Sequence, residues 1–301
     1  MFDSVSIPDL KSVCFLTYFQ NYIKRKEISE EDKQILSRLS GYVTTDAIKS
    51  YSLAFNSTRY NGSLEEKTDL LFASKLYEFW NEHKSCVKDI VTHSDYCPVC
   101  GVSYNIEFNY IKTLEHVLPK SRYQQYILSP INLVYFCGFC NSSKGNEVDD
   151  SLFHPYFSNI TCTGEVTLSM FKRTDNKIDI KVEIHEENKA YIAMIKKTFK
   201  LHRNYQRYIK QVMNKEISSI ELAVQQKLTS INGEQKLEVL KDYLRNNYSF
   251  NPQIYYVRTQ TEKMLLEKLT TEIETDYENF AQYILENLKM NYWGCLINHI
   301  N

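Results

Sequence analysis

Two pairs of cysteines constrain the fold of this chain more than any other feature. Each pair has Cys-x-x-Cys spacing, Cys97 with Cys100 and Cys137 with Cys140, and thirty-six residues lie between the pairs. Four thiolates at this spacing are typical of a tetrahedral structural zinc site, whereas a thioredoxin-like redox site needs one pair in a βαβ unit. We therefore expect these cysteines to bind Zn²⁺, with a redox pair or buried thiols as the alternatives.

The composition limits what the rest of the chain forms. The 301 residues are 43% hydrophobic and 24% charged, as in an ordinary globular protein. Scarce Gly and Pro, 8 and 6 residues, against 23 Tyr and 15 Phe favour long helices with aromatic faces. We expect a cytoplasmic protein without a membrane segment, because the chain lacks both a long apolar tract and a secretory signal pattern. The net charge of -1 means that any affinity for nucleic acid is local.

Four segments differ in their residue patterns. The first has apolar residues at helical spacing, which predicts helices over 10–22, from Ser29, and over 63–80. The second holds both cysteine pairs and lacks helical periodicity. The third alternates apolar and polar residues around a polar turn, which predicts a β-hairpin, and the fourth is again helical, with a break near Gly233. The predicted segments are 1–92, 93–160, 161–186 and 187–301.

The segment between the cysteine pairs carries the candidate chemistry. One predicted strand ends in Glu115-His116, with a proline three residues later, and a second begins at Asn132 and runs into Cys-Gly-Phe-Cys-Asn-Ser-Ser-Lys at 137–144. A cysteine knuckle, an acid-His before a proline, an Asn sixteen residues later and Cys-x-x-Cys-Asn-x-x-Lys, in this order, resemble the HNH or ββα-metal nuclease family. The resemblance covers roughly 60 of the 301 residues. It implies an α+β fold that is mainly α, with a central zinc-stabilised ββα-metal unit and a β-hairpin.

The resemblance also implies metal-dependent hydrolysis of phosphodiester bonds. His116 would be the general base that takes a proton from water, and Asn132 would orient it through a side-chain hydrogen bond. Glu115 and Asn141 would hold the catalytic cation, and Lys144 would contact a phosphate. Because both metal ligands are oxygen donors, that cation is Mg²⁺ or Mn²⁺ and is distinct from the zinc. Many family members have Asp and His at these two ligand positions, and both replacements keep a ligand.

Other basic residues are candidate contacts to nucleic acid. Lys120 and Arg122 follow the predicted base, with solvated surface charge as the alternative. Residues 196–215 contain seven Lys and Arg and no acid. On a helix several of these form one stripe, for which a solvated face compensated by acids elsewhere is the alternative. The candidates in this stretch are Lys200, Arg203 and Arg207, interleaved with Tyr205 and Tyr208, while Phe199, Ile209 and Val212 are expected in the core.

His154 lies thirteen residues beyond Asn141 in Phe-His-Pro-Tyr-Phe, either as a helper of the active site or as a packed core residue. This motif and Glu-His-x-Leu-Pro-Lys-Ser resemble the HNH subunits of bacterial anti-phage systems of the Septu-type and retron-associated kinds. In that group the nuclease is paired with an ATPase of the ABC or SMC-like class. The 301 residues contain no Walker-type phosphate loop, so ATP chemistry would come from such a partner.

The sequence thus predicts an HNH endonuclease of an anti-phage system, with DNA as the favoured substrate. RNA, including tRNA, is a second candidate substrate because such a site reads a backbone. The alternative class is a non-catalytic, zinc-stabilised module that binds nucleic acid or protein.

Overall fold

The computed structural model describes most of the chain in segments. The described residues are 29–40, 45–55, 64, 78, 80–82, 84, 91, 94–104, 110–127, 129–146, 148, 152, 154–157, 165–185, 198–229, 231, 233–251 and 259–297. They are mostly helical, with two small antiparallel strand pairs. Among these residues no helix combines the length and the apolar character needed to cross a membrane. The chain divides into two compact units, Met1–Thr163 with Asn188–Leu201 and Gly164–Glu187 with His202–Asn301.

In the described part of the first unit, α1 (Glu30–Ser40) and α2 (Thr45–Ala54) lie before the cysteines. The start of α1 is as predicted: Ser29 Oγ accepts a hydrogen bond at 3.1 Å from the backbone N–H three residues later. This bond satisfies one of the unpaired donors of the first turn, and the three acids in that turn interact favourably with the helix dipole. The predicted helix over 10–22, and most of the one over 63–80, lie outside the described residues.

The cysteine-rich region forms a strand pair followed by a short helix. Strand β1 (Lys112–His116) pairs antiparallel with β2 (Leu133–Cys137), and α3 (Gly138–Lys144) follows β2 without a break. All five residues of β2 are buried, whereas β1 is half-buried up to its last residue. Two short 3-10 turns, Gln124–Tyr126 and Pro130–Asn132, lie in the loop between the strands. Both strands lie within one or two residues of the predicted positions.

The predicted hairpin is confirmed in the second unit. Strands β3 (Glu165–Lys172) and β4 (Ile178–His185) pair antiparallel, and Asn176 in the turn has a φ of 59°. Residues at alternate positions of both strands are buried, so one face of the hairpin faces the core. The described residues after position 200 form four helices: α4 (Leu201–Thr229), α5 (Gly233–Asn247), α6 (Gln260–Thr275) and α7 (Tyr277–Ile297).

Glutamates of α6 and α7 accept hydrogen bonds from this hairpin. Glu272 of α6 accepts a hydrogen bond from Met170 N at 2.6 Å, and Glu286 of α7 accepts one from Ile178 N at 2.8 Å. Each bond satisfies a strand N–H that the other strand of the hairpin does not pair. The predicted break near Gly233 is also confirmed, because α4 ends at Thr229 and α5 begins at Gly233.

Candidate functional site

The four cysteines of the two pairs converge on one buried point. All four are 0% exposed, and their sulfur atoms lie within 4.8 Å of one another. The Sγ atoms of Cys100 and Cys137 are 3.8 Å apart, and none of the four forms a disulfide. Zinc–sulfur bonds of about 2.3 Å place tetrahedral sulfurs about 3.8 Å apart. The cluster could therefore hold a structural zinc, as the spacing predicts.

Turns at both pairs aim the sulfur atoms inward. After the first pair, Gly101 has a φ of 68°, and its N–H donates to Cys97 O at 2.8 Å to close the knuckle. At the second pair, Cys137 caps α3 by accepting a hydrogen bond from Cys140 N at 3.4 Å. Gly138 N donates to Ile111 O at 2.9 Å, which ties the start of α3 to the start of β1. The cluster thus fixes α3 relative to the strand pair.

Burial and the neighbouring thiols shift the pKa values of three of the four cysteines. Burial raises the pKa of Cys100 and Cys140 well above the usual range, and neighbouring thiols add to the effect. Burial also opposes ionisation of Cys97, but hydrogen bonds from the other three thiols lower its pKa well below the usual range. A bound divalent cation would ionise the thiols that burial keeps protonated, since metal binding displaces thiol protons.

A lysine lies beside this cluster. Lys112 pairs with Cys137 in the strand ladder, and its Nζ donates to Ser94 O at 3.0 Å. The same Nζ lies 4.3 Å from the ring centroid of Tyr135. Tyr104, which follows the first cysteine pair, donates its hydroxyl proton to Tyr135 O at 2.7 Å. Lys112 thus links the strand next to the second cysteine pair to Ser94, which precedes the first pair.

Glu115 and Asn141, the predicted ligands of the catalytic cation, are in contact. Burial raises the pKa of Glu115, while the charges of Lys120 and Lys144 and a hydrogen bond from the Asn141 side chain oppose this rise. Asn141 is the fourth residue of α3 and is half-buried, as is Glu115. The antiparallel strands and the helix that follows them thus bring together two oxygen donors from positions twenty-six residues apart.

Lys144 is buried, unlike a typical surface lysine that binds phosphate. It is 3% exposed, and its Nζ donates to Gly145 O at 3.2 Å. Burial lowers the pKa of Lys144 to about 8, while the charge of Glu115 opposes this. The ammonium group is therefore still protonated at neutral pH and supplies a positive charge beside Glu115. Its predicted contact with a phosphate stays a prediction.

His116 is the last residue of β1 and is 6% exposed. Its Nε2 lies 2.8 Å from Ile127 O, and because a carbonyl only accepts, Nε2 carries the proton. The proton-free Nδ1 makes no hydrogen bond with any described residue. Burial lowers the pKa of His116 to about 3, and Lys120 and Lys144 also lower it, against the effect of the Ile127 bond. The imidazole is therefore neutral at physiological pH, in one tautomer.

The side chain of Asn132 does not hydrogen-bond to His116, so the predicted bond between them is wrong. Its Oδ1 accepts from Leu118 N at 2.7 Å, and its Nδ2 donates to Leu118 O at 3.1 Å and Tyr126 O at 3.3 Å. A further bond, from Tyr51 Oη, reaches Oδ1 at 2.7 Å. The amide is complementary to the backbone of the loop that follows the histidine. Asn132 therefore holds the loop, including the stretch next to the acceptor of His116.

Two aromatic residues outside the predicted site contribute to it. Tyr51 on α2 is 0% exposed and reaches Asn132, as described above. The ring of Trp80, 5% exposed, meets the ring of His116 edge to face at a centroid distance of 4.7 Å. No local pattern identifies these partners, because they lie 81 and 36 residues away from the residues that they contact. The only signal in the sequence is the abundance of aromatic residues at helical spacing in this region.

His154 is a packed core residue, so the interpretation as a helper of the active site is wrong. It is 0% exposed, and its Nε2 donates to Ile131 O at 2.8 Å while Nδ1 accepts from Tyr156 N at 3.2 Å. Both ring nitrogens are thus occupied by backbone groups. The rings of Phe55 and Tyr51 lie 4.8 and 5.6 Å from it. Burial lowers the pKa of His154 to about 3, so it stays neutral.

The remaining basic candidates are exposed to different degrees. Lys120 and Arg122 are half-buried on the loop after His116, and the Arg122 guanidinium lies 6.0 Å from the ring centroid of Tyr123. Lys120 affects the pKa of both Glu115 and His116, so its charge lies within reach of the candidate site.

The basic candidates at the start of α4 are exposed. Arg203 and Arg207 lie one turn apart on the helix, and Lys200 precedes it with a φ of 49°. Further along, Lys210 forms an ion pair with Asp179 at 2.5 Å, so this part of the charge is compensated by an acid. The predicted core residues Phe199, Ile209 and Val212 are 0% exposed, and Tyr205 and Tyr208 are buried as well. The two tyrosines are therefore core residues and offer no stacking surface to bases.

Comparisons with known proteins add one relative. The protein ea31 of Escherichia phage lambda is 25% identical to this chain over 148 residues. The match covers 47% of this chain and 46% of ea31, so the chain spans about half the length of the curated relative that it matches. No protein-family description matches the chain, and no solved structure matches it.

Proposed function

We propose that this chain is an HNH-type, metal-dependent endonuclease that hydrolyses phosphodiester bonds in nucleic acid. One observation carries the proposal: the Glu115 side chain meets the Asn141 side chain at the end of β1, next to His116, on a strand pair and helix joined by four cysteines. Two oxygen donors, a neutral imidazole and two lysines within electrostatic reach form a constellation suited to attack on a charged phosphorus.

The oxygen donors fit a hard divalent cation. Glu115 offers a carboxylate, and the Asn141 amide that donates to it retains its carbonyl oxygen as a ligand. Mg²⁺ or Mn²⁺ held by these two groups leaves positions for water and phosphate oxygens. When bound, the cation would stabilise negative charge on the phosphate and on the leaving oxygen. Burial raises the pKa of Glu115, and a bound cation would lower it by favouring the carboxylate.

His116 supplies the base in this proposal. The bond from Nε2 to Ile127 O leaves Nδ1 as the proton-free ring nitrogen, which would accept a proton from the attacking water. The pKa of about 3 makes the free imidazole a weak base at neutral pH. Burial is the main cause of the low pKa, and the charges of Lys120 and Lys144 add to it, so a bound phosphodiester that offsets these charges would remove only that smaller contribution.

We also propose a substrate, a biological role and a partner for this nuclease. DNA is the favoured substrate, RNA the second, and the exposed side chains of Lys200, Arg203 and Arg207 support binding to a phosphate backbone. The resemblance of the two histidine motifs supports a role in anti-phage defence with an ATPase of the ABC or SMC-like class. Purification of the protein from its native host, with the co-purifying chains identified by mass spectrometry, tests the partner. Recovery of full regulated activity from the chain alone contradicts it.

A non-catalytic, zinc-stabilised binding module is the second candidate. The burial of His116, 6% exposed, and of Lys144, 3% exposed, favours it, because both side chains also have structural partners. A module of this kind has no hydrolytic activity to lose. Mutation of His116 therefore separates the two functions.

The test compares wild type, His116→Ala and a control on plasmid DNA, single-stranded DNA and total RNA, with Mg²⁺ or Mn²⁺. The control is His185→Ala, which removes an imidazole from the end of β4 in the second unit. We expect cleavage by wild type and the control, and a loss of about 100-fold or more in His116→Ala with binding retained. Equal activity of wild type and His116→Ala contradicts the assigned base. Binding without cleavage by any of the three, also with the co-purifying partner added, supports the binding module.

A further inference from the structure

The amide of Asn132 has all four of its hydrogen-bonding positions occupied. Its Oδ1 accepts from Leu118 N and from Tyr51 Oη, each at 2.7 Å. Its Nδ2 donates to the carbonyls of Leu118 and Tyr126 at 3.1 and 3.3 Å. The side chain is 0% exposed, so water does not replace a lost partner without opening the loop. Three of the four bonds stay within residues 118–132, and the one from Tyr51 anchors the loop to α2.

The Tyr51 hydroxyl is held in a fixed direction. The tyrosine is 0% exposed, and its ring lies edge to face with Tyr126 at a centroid distance of 4.9 Å. Phe55, one turn further along the chain, lies 5.2 Å away, and His154 lies 5.6 Å away in an edge-to-face arrangement. A ring enclosed on several sides has little rotamer freedom, so its hydroxyl is a pre-oriented donor.

The loop to which Asn132 hydrogen-bonds also contains the carbonyl group that accepts the hydrogen bond from His116. Asn132 bonds the carbonyl of Tyr126, and the next carbonyl, that of Ile127, accepts the 2.8 Å bond from His116 Nε2. A displacement of the amide therefore moves the acceptor that fixes the tautomer and the orientation of the imidazole. Misplacement of a catalytic group by about 1 Å costs on the order of 100-fold in rate.

We propose that Tyr51 is a positioning residue of the nuclease, which orients His116 through Asn132 and the loop between them. This inference rests on the proposed function, because it assumes that His116 is the base. It makes α2, which lies outside the region of family resemblance, part of the catalytic apparatus. Tyr51 touches no reacting atom in this role and acts only through the loop.

Tyr51→Phe tests the proposal because it removes one oxygen and keeps the ring. The matched control is Tyr156→Phe, which also removes a single buried hydroxyl bond, the one to Leu133 O at 2.9 Å. We expect Tyr51→Phe to lower kcat about tenfold or more, with KM for DNA and zinc content unchanged. Tyr156→Phe should stay within about twofold of wild type. Tyr51→Phe with the kcat of wild type overturns the proposal.

A comparison in the His116→Ala variant separates a positioning role of Tyr51 from general destabilisation. Both phenylalanine variants are also made in His116→Ala and assayed on a chromogenic phosphodiester with a p-nitrophenyl leaving group, on which the cation alone gives a measurable rate. If Tyr51 acts through His116, its replacement has no further effect when the imidazole is absent. The same fold-loss in both backgrounds overturns the proposal in favour of a merely structural role.

An NMR measurement tests the effect of Tyr51 on His116 independently of nuclease activity. Nitrogen-15 spectra of the histidine rings report the tautomer of His116 and the exchange of its Nε2 proton with water. We expect exchange to be faster in Tyr51→Phe and unchanged in Tyr156→Phe. If no variant and no wild-type protein cleaves a phosphodiester but exchange is accelerated, the proposed function fails and the positioning link stands. Unchanged exchange in Tyr51→Phe overturns the link, whatever the activity.

Discussion

Replacement of Asn132 by alanine gives the sharpest stability prediction. The substitution deletes four hydrogen bonds at a site that is 0% exposed, and it removes the amide that bonds Leu118 N, two carbonyls and the Tyr51 hydroxyl. A buried polar group left unsatisfied costs about 1–3 kcal/mol. The hydroxyl rotates, and the loop relaxes in part, so we take the lower limit for each group. The free energy of unfolding should fall by about 4 kcal/mol, a large fraction of the roughly 5–15 kcal/mol of a typical domain.

The assay is urea unfolding followed by tryptophan fluorescence. The chain has two tryptophans, and with Trp293 replaced by phenylalanine only Trp80 reports, from its position 4.7 Å from the ring of His116. Asn141→Ala is the control, because this asparagine is half-buried and its loss should cost below about 1 kcal/mol. A free energy of unfolding for Asn132→Ala within about 1 kcal/mol of wild type refutes the reasoning. In that case water or a rearranged loop satisfies the stranded groups.

Three further predictions concern the zinc, the histidines and the basic helix. Cys137→Ser should bind less than one zinc per chain and unfold at lower temperature, because this cysteine also caps α3; full zinc content by atomic absorption contradicts the assignment. The pKa values of His116 and His154, about 3 when folded against an ordinary 6.5, mean that the unfolded state takes up protons that the folded state excludes. Stability is therefore fully present above pH 6.5 and lost as pH falls toward 3, by about 1.4 kcal/mol per pH unit for each histidine. His154→Phe should reduce this slope in urea titrations, and an unchanged slope is evidence against the buried neutral imidazole. Arg203→Glu with Arg207→Glu should weaken DNA binding and flatten its salt dependence in fluorescence anisotropy, whereas unchanged affinity assigns the helix to an ordinary solvated face.

Local patterns in the sequence predicted the elements of the site well. The Cys-x-x-Cys spacing is a local constraint on ligand geometry, and all four sulfurs meet as expected. The cap at Ser29 and the alternation that forms the β3–β4 hairpin also depend on residues within a few positions of one another. Glu115 and Asn141 meet because β1 and β2 pair antiparallel and α3 follows β2 directly. The convergence of the four cysteines further restricts the position of α3 relative to the strands.

The errors concern contacts made over long distances in the sequence. Asn132 was expected to contact His116, but its four bonds match the backbone of the loop and a tyrosine 81 residues earlier. His154 was left open between two roles, and only the tertiary structure places backbone partners at both of its nitrogens. The approach of Trp80 to His116 has no periodic signal in the sequence. Side-chain amides and imidazoles bind whatever complementary groups the fold brings near, so residue type and spacing alone do not identify their partners.

The most direct test of the account is the Mg²⁺ dependence of cleavage of an end-labelled DNA duplex by wild type and by Glu115→Gln, both prepared with full zinc content and, where required, with the partner added. Glutamine keeps the size of the side chain and its contact with Asn141 but removes the charge that holds the cation. We expect cleavage by wild type that saturates with Mg²⁺ and stops without it, and a rate at least about 100-fold lower for Glu115→Gln. Cleavage by Glu115→Gln at the wild-type rate, cleavage that needs no divalent cation, or no cleavage by wild type at any Mg²⁺ concentration would contradict the proposed site.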